Sequence, residues 1–293
     1  MTHFRTLTRL SRPLQLILAA LTYVMGAGIA RYLGHPVHAA ALGLGLLAVL
    51  AVQMASYWLV EYFRLPLTPL AKDETPRQRE ALRVTLFQSS MALLTVCAAV
   101  VVTLLLTGLL SPEAEILLGL IVIFFVTYAV PPFRFSEKGY GELILAIYMG
   151  TLVPVLAFLL QYGQFHRLLT FASFPLTLLA LTYLLVNDFP TFISDQRRGR
   201  HSLLTRLTWQ RAIPIHHFLV LVAYLLFAAS PFIGIPWGLV WPVLLVLPFA
   251  IVQVVWLQRI ALGGRTLWNF LTTLAVATFG LTAYLLAFTF WIR

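Results

Sequence analysis

The sequence predicts an all-α polytopic membrane bundle of nine transmembrane helices, and three observations support this prediction. Of the 293 residues, 60% are hydrophobic and 10% are charged, whereas a soluble globular domain is about 25% charged. The mean hydropathy is +0.90. The apolar residues are grouped in nine stretches, and the basic residues are concentrated in alternate connections between them.

Each apolar stretch is close to the roughly 20 residues that a helix needs to cross a bilayer. The first stretch follows three arginines, as in a signal peptide, but it is long and no convincing cleavage signal follows, so we predict a retained helix. The fourth is short and ends at Pro131 and Pro132, which stop a helix. The nine predicted spans are 14–33, 37–60, 84–109, 115–131, 142–161, 170–188, 212–230, 236–257 and 267–290.

The distribution of basic residues predicts the orientation in the membrane. With the N-terminus in the cytoplasm and nine spans, 17 of the 20 Lys and Arg residues lie on the inner side. Only Arg31, Arg167 and Arg293 remain outside. This asymmetry follows the positive-inside rule. We therefore expect a protein of the cell membrane with a cytoplasmic N-terminus and an external C-terminus.

Charge and cysteine content argue against other classes of protein. The net charge of +10 arises from arginines in the connections, so we attribute it to topology and expect no nucleic-acid partner. Cys97 is the single cysteine, which rules out a disulfide framework, and the seven histidines show no metal-ligand spacing. We expect residues 1–293 to form a single integral membrane domain, with long cytoplasmic loops at about 61–83 and 189–211.

The second long loop begins with polar residues at the mouth of the sixth span. If this segment is helical, Asp188, Thr191 and Asp195 share one face, because their spacings are three and four. Placing carboxylates at the end of a membrane span costs free energy, so their presence there indicates a functional role. Such a row can hold divalent cations that in turn hold a diphosphate. The alternative from spacing alone is an ordinary solvated membrane-exit loop.

The segment NDFPTFISDQRRGRHSLLTRL, from Asn187 to Leu207, resembles the second Asp-rich motif of the UbiA family of intramembrane prenyltransferases. Asn187, Asp188 and Asp195 match the motif, whereas Thr191 stands where the family usually has an aspartate. The resemblance implies a nine-helix bundle, a polyprenyl diphosphate substrate and Mg²⁺ as cofactor.

The first long loop resembles the first Asp-rich motif of that family less closely. On that pattern Glu61 replaces the first aspartate, Arg64 the second and Thr68 the third. Three interpretations remain open: Arg64 pairs directly with a phosphate, Asp73 and Glu74 supply carboxylates, or catalysis has been lost. In the plain structural alternative Glu61 and Arg64 form an intrahelical pair at spacing three.

For the segment DETPRQRE, residues 73–80, the plain alternative is a solvated turn. In that case Thr75 caps a helix that Pro76 opens.

A third segment, YAVPPFRFSEKGYGELILAI at residues 128–147, resembles the family's turn between the fourth and fifth helices. The resemblance implies that this turn lies against the active cavity, with Arg134 and Lys138 near a diphosphate. The alternative for both is a positive-inside turn. For Glu142 the plain alternative is a partner of a neighbouring Arg or a helix N-terminus.

The resemblance implies a prenyltransferase that moves a polyprenyl group from its diphosphate to an aromatic quinone-type precursor within the membrane. The expected catalytic residues are Asp188, Asp195, Asn187 and Glu61, and the expected Mg²⁺ ligands are Asp188, Asp195 and Glu61. The expected substrate-binding residues are Arg64, Arg134, Lys138, Arg197, Arg198, Tyr128 and Tyr62.

The alternative is a catalytically degenerate homologue that binds quinone or isoprenoid lipid. Such a homologue could act as a subunit of a larger membrane complex, and the acids missing at Arg64, Thr68 and Thr191 favour it.

Overall fold

The computed structural model describes residues 3–64, 75–197 and 199–293. Within these ranges nine helices are long and apolar enough to cross a membrane, which confirms the predicted all-α architecture. A short amphipathic helix, α1 (His3–Leu10), precedes them. The nine long helices are α2 (Pro13–Tyr32), α3 (Ala39–Arg64), α4 (Pro76–Leu106), α5 (Pro112–Ala129), α6 (Gly141–Tyr162), α7 (Arg167–Arg197), α8 (Leu203–Ile233), α9 (Trp237–Ala261) and α10 (Trp268–Ile292).

The centre of the bundle is formed by α6 and α7, with α2 packed against α6 and α10. In the most apolar part of α6, 78% of the residues are buried, compared with 22% in α4. The difference follows from position, because α4 packs mainly on α3 and exposes the rest of its surface. The inner helices therefore carry the residues that a site within the bundle would use.

Two glycines allow the inner helices to approach closely. A Cβ on Gly26 of α2 would lie 2.1 Å from the carbonyl oxygen of Pro154 in α6, and a Cβ on Gly150 of α6 would lie 2.4 Å from Thr177 in α7. Any larger residue would have to push these backbones apart. Small residues at such contacts are typical of membrane helix packing, where close van der Waals contact drives association.

The middle of α6 departs from regular α-helix. Residues Tyr148–Leu152 form a π-helical segment, which is typical of short insertions in a helix. The Tyr148 hydroxyl donates to the Val49 carbonyl of α3 at 2.8 Å. The Thr151 and Thr177 hydroxyls share a hydrogen bond at 2.6 Å. These contacts fix α6 against α3 and α7.

Parts of the predicted loops 61–83 and 189–211 are helical, so those boundaries were wrong. Helix α3 continues to Arg64, and α7 continues past Asp188 through one 3₁₀ turn to Arg197. Hydropathy marks only the apolar part of a helix, whereas the helix continues wherever capping and backbone hydrogen bonds allow.

Two caps define where the next helices begin. Thr75 and Gln78 form a capping box before Pro76, which confirms the predicted cap. Ser202 and Thr205 form another at the start of α8.

The turn between α5 and α6 packs against the connection between α7 and α8. Lys138 and His201 form an isolated backbone bridge. The side chain of Arg206 covers Gly139, where a Cβ would lie 2.4 Å from it, and its guanidinium lies 4.3 Å from the Tyr140 ring centroid. These contacts bring the start of α6 beside the start of α8.

Candidate functional site

A cavity of about 370 Å³ opens where α2, α5, α6 and α7 meet at the arginine-rich end of the bundle. Both apolar and polar side chains line it. Its charged members are Arg12, Glu142, Asp188 and Arg200. Its neutral polar members are Gln15, Tyr128, Ser136, Tyr183, Asn187 and Thr191. The cavity therefore offers both cations and carboxylates to a ligand.

Helix α7 supplies the carboxylate of this cavity that the sequence analysis singled out. Asp188 and Asn187 both line the cavity, one turn beyond Tyr183, and Asn187 lies beside the Tyr183 hydroxyl. The Oδ2 atom of Asp188 is buried and has no hydrogen-bond partner in the structure. The carboxyl group of Glu142 lies within hydrogen-bonding reach of the Asp188 side chain. A buried acceptor without a hydrogen-bond partner lowers the stability of the fold unless a ligand interacts with it.

Glu142 reaches the cavity from the first turn of α6. Its Oε2 accepts a hydrogen bond from the backbone N–H of Leu203, at the start of α8, at 3.0 Å. The plain interpretation of Glu142 as a helix N-terminal charge is therefore confirmed. Because Glu142 also neighbours Asp188, it belongs to the site as well, which the sequence analysis missed.

Arg12 is the second residue that the sequence analysis missed. It lies immediately before Pro13 in the left-handed region, with φ of 50°, so its backbone turns sharply into α2. Its guanidinium lies 5.2 Å from the Tyr57 ring centroid. Burial opposes its charge, but the tyrosines and carboxylates around it raise the pKa of Arg12 above its ordinary value. It is thus a permanent cation in the cavity wall.

Asp195 lies behind the cavity wall. It is 5% exposed, and its Oδ2 accepts a hydrogen bond from the Thr191 hydroxyl at 2.9 Å. Its Oδ1 lies 3.7 Å from a guanidinium nitrogen of Arg200. The Thr191 hydroxyl also lies 3.2 Å from the Asp188 carbonyl. The predicted shared face of Asp188, Thr191 and Asp195 is therefore present, but Asp195 is already paired.

The first motif is arranged differently. Glu61 is buried and accepts a hydrogen bond from the Arg64 guanidinium at 2.5 Å, as the plain alternative predicted. Glu61 is not among the residues that line the cavity, although its charge acts on Arg12 and Tyr128. Thr68, Asp73 and Glu74 lie outside the described residues.

The predicted substrate-binding residues are divided between the cavity and the surface. Tyr128 lines the cavity. Arg134 pairs with Glu137 at 2.6 Å, and the exposed Lys138 donates to the Pro132 carbonyl at 2.9 Å. Arg197 is exposed, and Arg198 lies outside the described residues. Tyr62 packs on α4, with its ring 4.9 Å from the Arg83 guanidinium.

The predicted metal ligands do not converge as a set of three. Asp188 lines the cavity, Asp195 contacts Thr191 and Arg200, and Glu61 contacts Arg64. Among the residues that the structure describes, no group of three or more His, Cys, Asp or Glu side chains is placed to hold a metal ion. Protein carboxylates that hold a divalent cation here would need oxygens of the ligand to complete its coordination.

Residues 75–269 match the UbiA prenyltransferase family, a range that includes the cavity residues of α5, α6 and α7. The chain belongs to this family. The part of the chain that the structure describes holds nine membrane-length helices, and the protein is an integral membrane protein. No curated protein matches the chain.

Solved structures support the same fold. One described as digeranylgeranylglyceryl phosphate synthase in membranes aligns with a TM-score of 0.68 and 15% identity over 100% of both chains. A UbiA homologue from Archaeoglobus fulgidus bound to GPP and Mg²⁺ aligns with a TM-score of 0.65 and 16% identity, covering 98% of this chain and 99% of that one. An apo UbiA homologue from Aeropyrum pernix K1 aligns with a TM-score of 0.63 and 18% identity, covering 90% of this chain and 94% of that one.

Proposed function

We propose that this protein transfers a prenyl group from its diphosphate to an aromatic, quinone-type acceptor in the membrane. The observation that carries the proposal is the cavity that contains Asp188 and Asn187 together with Arg12 and Arg200. A diphosphate needs cations around its oxygens, and this cavity has two guanidinium groups in its wall. The UbiA homologue bound to GPP and Mg²⁺ supports the choice of ligand.

The residues present fit a divalent cation held jointly by protein and diphosphate. The buried Oδ2 of Asp188 lacks a hydrogen-bond partner, and the cavity offers oxygen donors of the kind that Mg²⁺ prefers. Asp188 would hold the ion, with Asn187 beside it and the Asp195 carboxylate contributing its charge. The ion, when bound, neutralises charge on the diphosphate oxygens.

The chain's own groups would assist each part of the transfer. The carbon–oxygen bond breaks and the diphosphate leaves with the electron pair. The acceptor carbon then attacks the allylic cation, and the proton that the acceptor loses passes to the released diphosphate. Arg12 and Arg200 stabilise the negative charge that develops on the leaving diphosphate. The rings of Tyr128 and Tyr183 in the same wall offer π-faces to the allylic cation.

The orientation follows from the same proposal. We place the N-terminus and the cavity in the cytoplasmic half of the cell membrane, with the C-terminus outside, because the basic residues cluster at this end.

A second function is favoured by the pair between Glu61 and Arg64. Because the only acid of the first motif is neutralised within its own helix, the protein could bind an isoprenoid or quinone lipid without turning it over. Such a homologue could serve as a subunit of a membrane complex.

The testing experiment is binding of geranylgeranyl diphosphate to the purified protein in detergent, with and without Mg²⁺, followed by turnover with a panel of hydroxybenzoate and dihydroxynaphthoate acceptors. Mg²⁺-dependent binding that Asp188→Asn abolishes, together with prenylated product, would support the transferase. Binding without product from any acceptor would favour the non-catalytic function. No binding would overturn the transferase, because a transferase must bind its diphosphate substrate.

A further inference from the structure

We propose that Glu142 is the second carboxylate ligand of the divalent cation in this cavity, beside Asp188. It would take the place of the acid that is missing at Thr191. The inference rests on the proposed function for its diphosphate, but it concerns a residue outside both Asp-rich motifs. It predicts which two side chains hold the ion.

The first argument is the position of the two carboxyl groups. Asp188 of α7 and Glu142 of α6 line the same cavity, and each lies beside the other. Two carboxylates in contact repel unless a proton or a cation lies between them. The charged groups that act on Asp188 are Glu142, Arg200, Asp195 and Arg12, and Arg200 also lies 3.7 Å from Asp195.

The second argument is the set of unsatisfied oxygens around this pair. Asp188 Oδ2, Gln15 Oε1 and Ser136 Oγ are buried and have no hydrogen-bond partner in the structure. Gln15 and Ser136 are each 8% exposed, and both line the cavity. Three buried oxygens without a donor in one cavity indicate a missing ligand. An all-oxygen environment suits a hard divalent cation.

The third argument is that Glu142 is held in place. Its Oε2 accepts a hydrogen bond from the backbone N–H of Leu203 at 3.0 Å. This bond occupies one oxygen of the carboxylate. The side chain therefore loses little freedom when the ion binds. Such hydrogen bonds to a metal-binding carboxylate orient it and tune its affinity.

The other acids are already engaged. Asp195 accepts from Thr191 and lies near Arg200, and Glu61 accepts from Arg64. A cation approaching either carboxylate would have to compete with an arginine. Asp188 and Glu142 are thus the two described carboxylates that line the cavity, and neither has a described salt bridge.

The test measures binding of Mn²⁺, a paramagnetic substitute for Mg²⁺, by electron paramagnetic resonance on the purified full-length protein with inorganic diphosphate. Glu142→Gln keeps a carbonyl oxygen that can accept the N–H of Leu203, so the fold should be preserved. We expect its Mn²⁺ affinity to fall at least tenfold, and that of Asp188→Asn likewise. The matched control is Glu115→Gln, an exposed acid in the first turn of α5, whose affinity should equal that of the unaltered protein.

The inference would be overturned if Glu142→Gln bound Mn²⁺ as tightly as the unaltered protein while Asp188→Asn did not. It would also be overturned if the unaltered protein bound no Mn²⁺, since a shared proton would then explain the carboxyl pair. Thermal unfolding of each variant checks that a lost affinity is not a lost fold.

Failure of the proposed function gives a different pattern. If Mn²⁺ binds through Glu142 and Asp188 but geranylgeranyl diphosphate does not bind, the function fails and the metal site stands. If geranylgeranyl diphosphate binding requires Mg²⁺ and is unchanged in Glu142→Gln, the function stands and this inference fails.

Discussion

The ends of α3 and α7 carry the two motifs, yet the acids of these motifs lie in different environments. In the first, Glu61 is paired with Arg64, three residues later on the same helix. In the second, Asp188 faces a cavity, has an unpartnered buried oxygen and lies beside a second carboxyl group from α6. The Glu61 carboxylate is paired within its own helix, whereas one buried oxygen of Asp188 has no hydrogen-bond partner. The difference supports the proposed ligand site at the second motif.

The largest expected effect is that of Asp188→Asn. Removing a buried charge that holds a ligand costs about 3 kcal/mol, or roughly a hundredfold in affinity. We therefore expect Mg²⁺-dependent binding of geranylgeranyl diphosphate, measured by isothermal titration calorimetry, to weaken by about that factor. Glu61→Gln provides the comparison, and an equal loss in both variants would show that the two motifs contribute alike.

The next effect compares two cations, one in the cavity and one on the surface. Arg12→Gln removes a guanidinium from the cavity wall, and we expect roughly tenfold weaker binding of geranylgeranyl diphosphate, the value of one charge-assisted hydrogen bond. Lys138 is exposed and bound to the Pro132 carbonyl, so Lys138→Gln should change the affinity less than about twofold. A larger loss of affinity in Lys138→Gln than in Arg12→Gln would indicate that the diphosphate binds at the turn before α6.

Thr191→Asp sharpens the comparison by adding an acid to the second motif. The new carboxylate would lie in the cavity wall near Asp188, so we expect Mn²⁺ affinity to rise by roughly threefold to tenfold, as added ligand charge does at oxygen sites. The same electron paramagnetic resonance titration measures it. A fall in affinity would mean that the Thr191 hydroxyl, through its bond to Asp195, is needed in its present form.

The smallest effect is expected in the first motif. Because the Arg64 side chain is 27% exposed, Glu61→Gln should destabilise the protein by about 1 kcal/mol or less. Mn²⁺ affinity should stay within about twofold of the unaltered protein, since Glu61 does not line the cavity. Thermal unfolding and the Mn²⁺ titration together check this. A loss of Mn²⁺ affinity above tenfold would show that Glu61 is a metal ligand. The two motifs would then both contribute to the site.

Local features were predictable from the sequence because each depends on residues close together in the chain. The spans follow from hydropathy, the Thr75 cap from the residues around Pro76, and the Glu61–Arg64 pair from spacing three. The shared face of Asp188 and Asp195 follows from helical periodicity in the same way.

Only the tertiary structure decided which side chains form the cavity. Arg12, Glu142 and Asp188 are brought together by the packing of α2, α6 and α7, which depends on close contacts such as Gly26 with Pro154. The sequence by itself determined nine membrane helices, their basic end and a motif with an acid at Asp188. Which acids remain unpaired depends on contacts between distant segments, and no local pattern encodes those contacts.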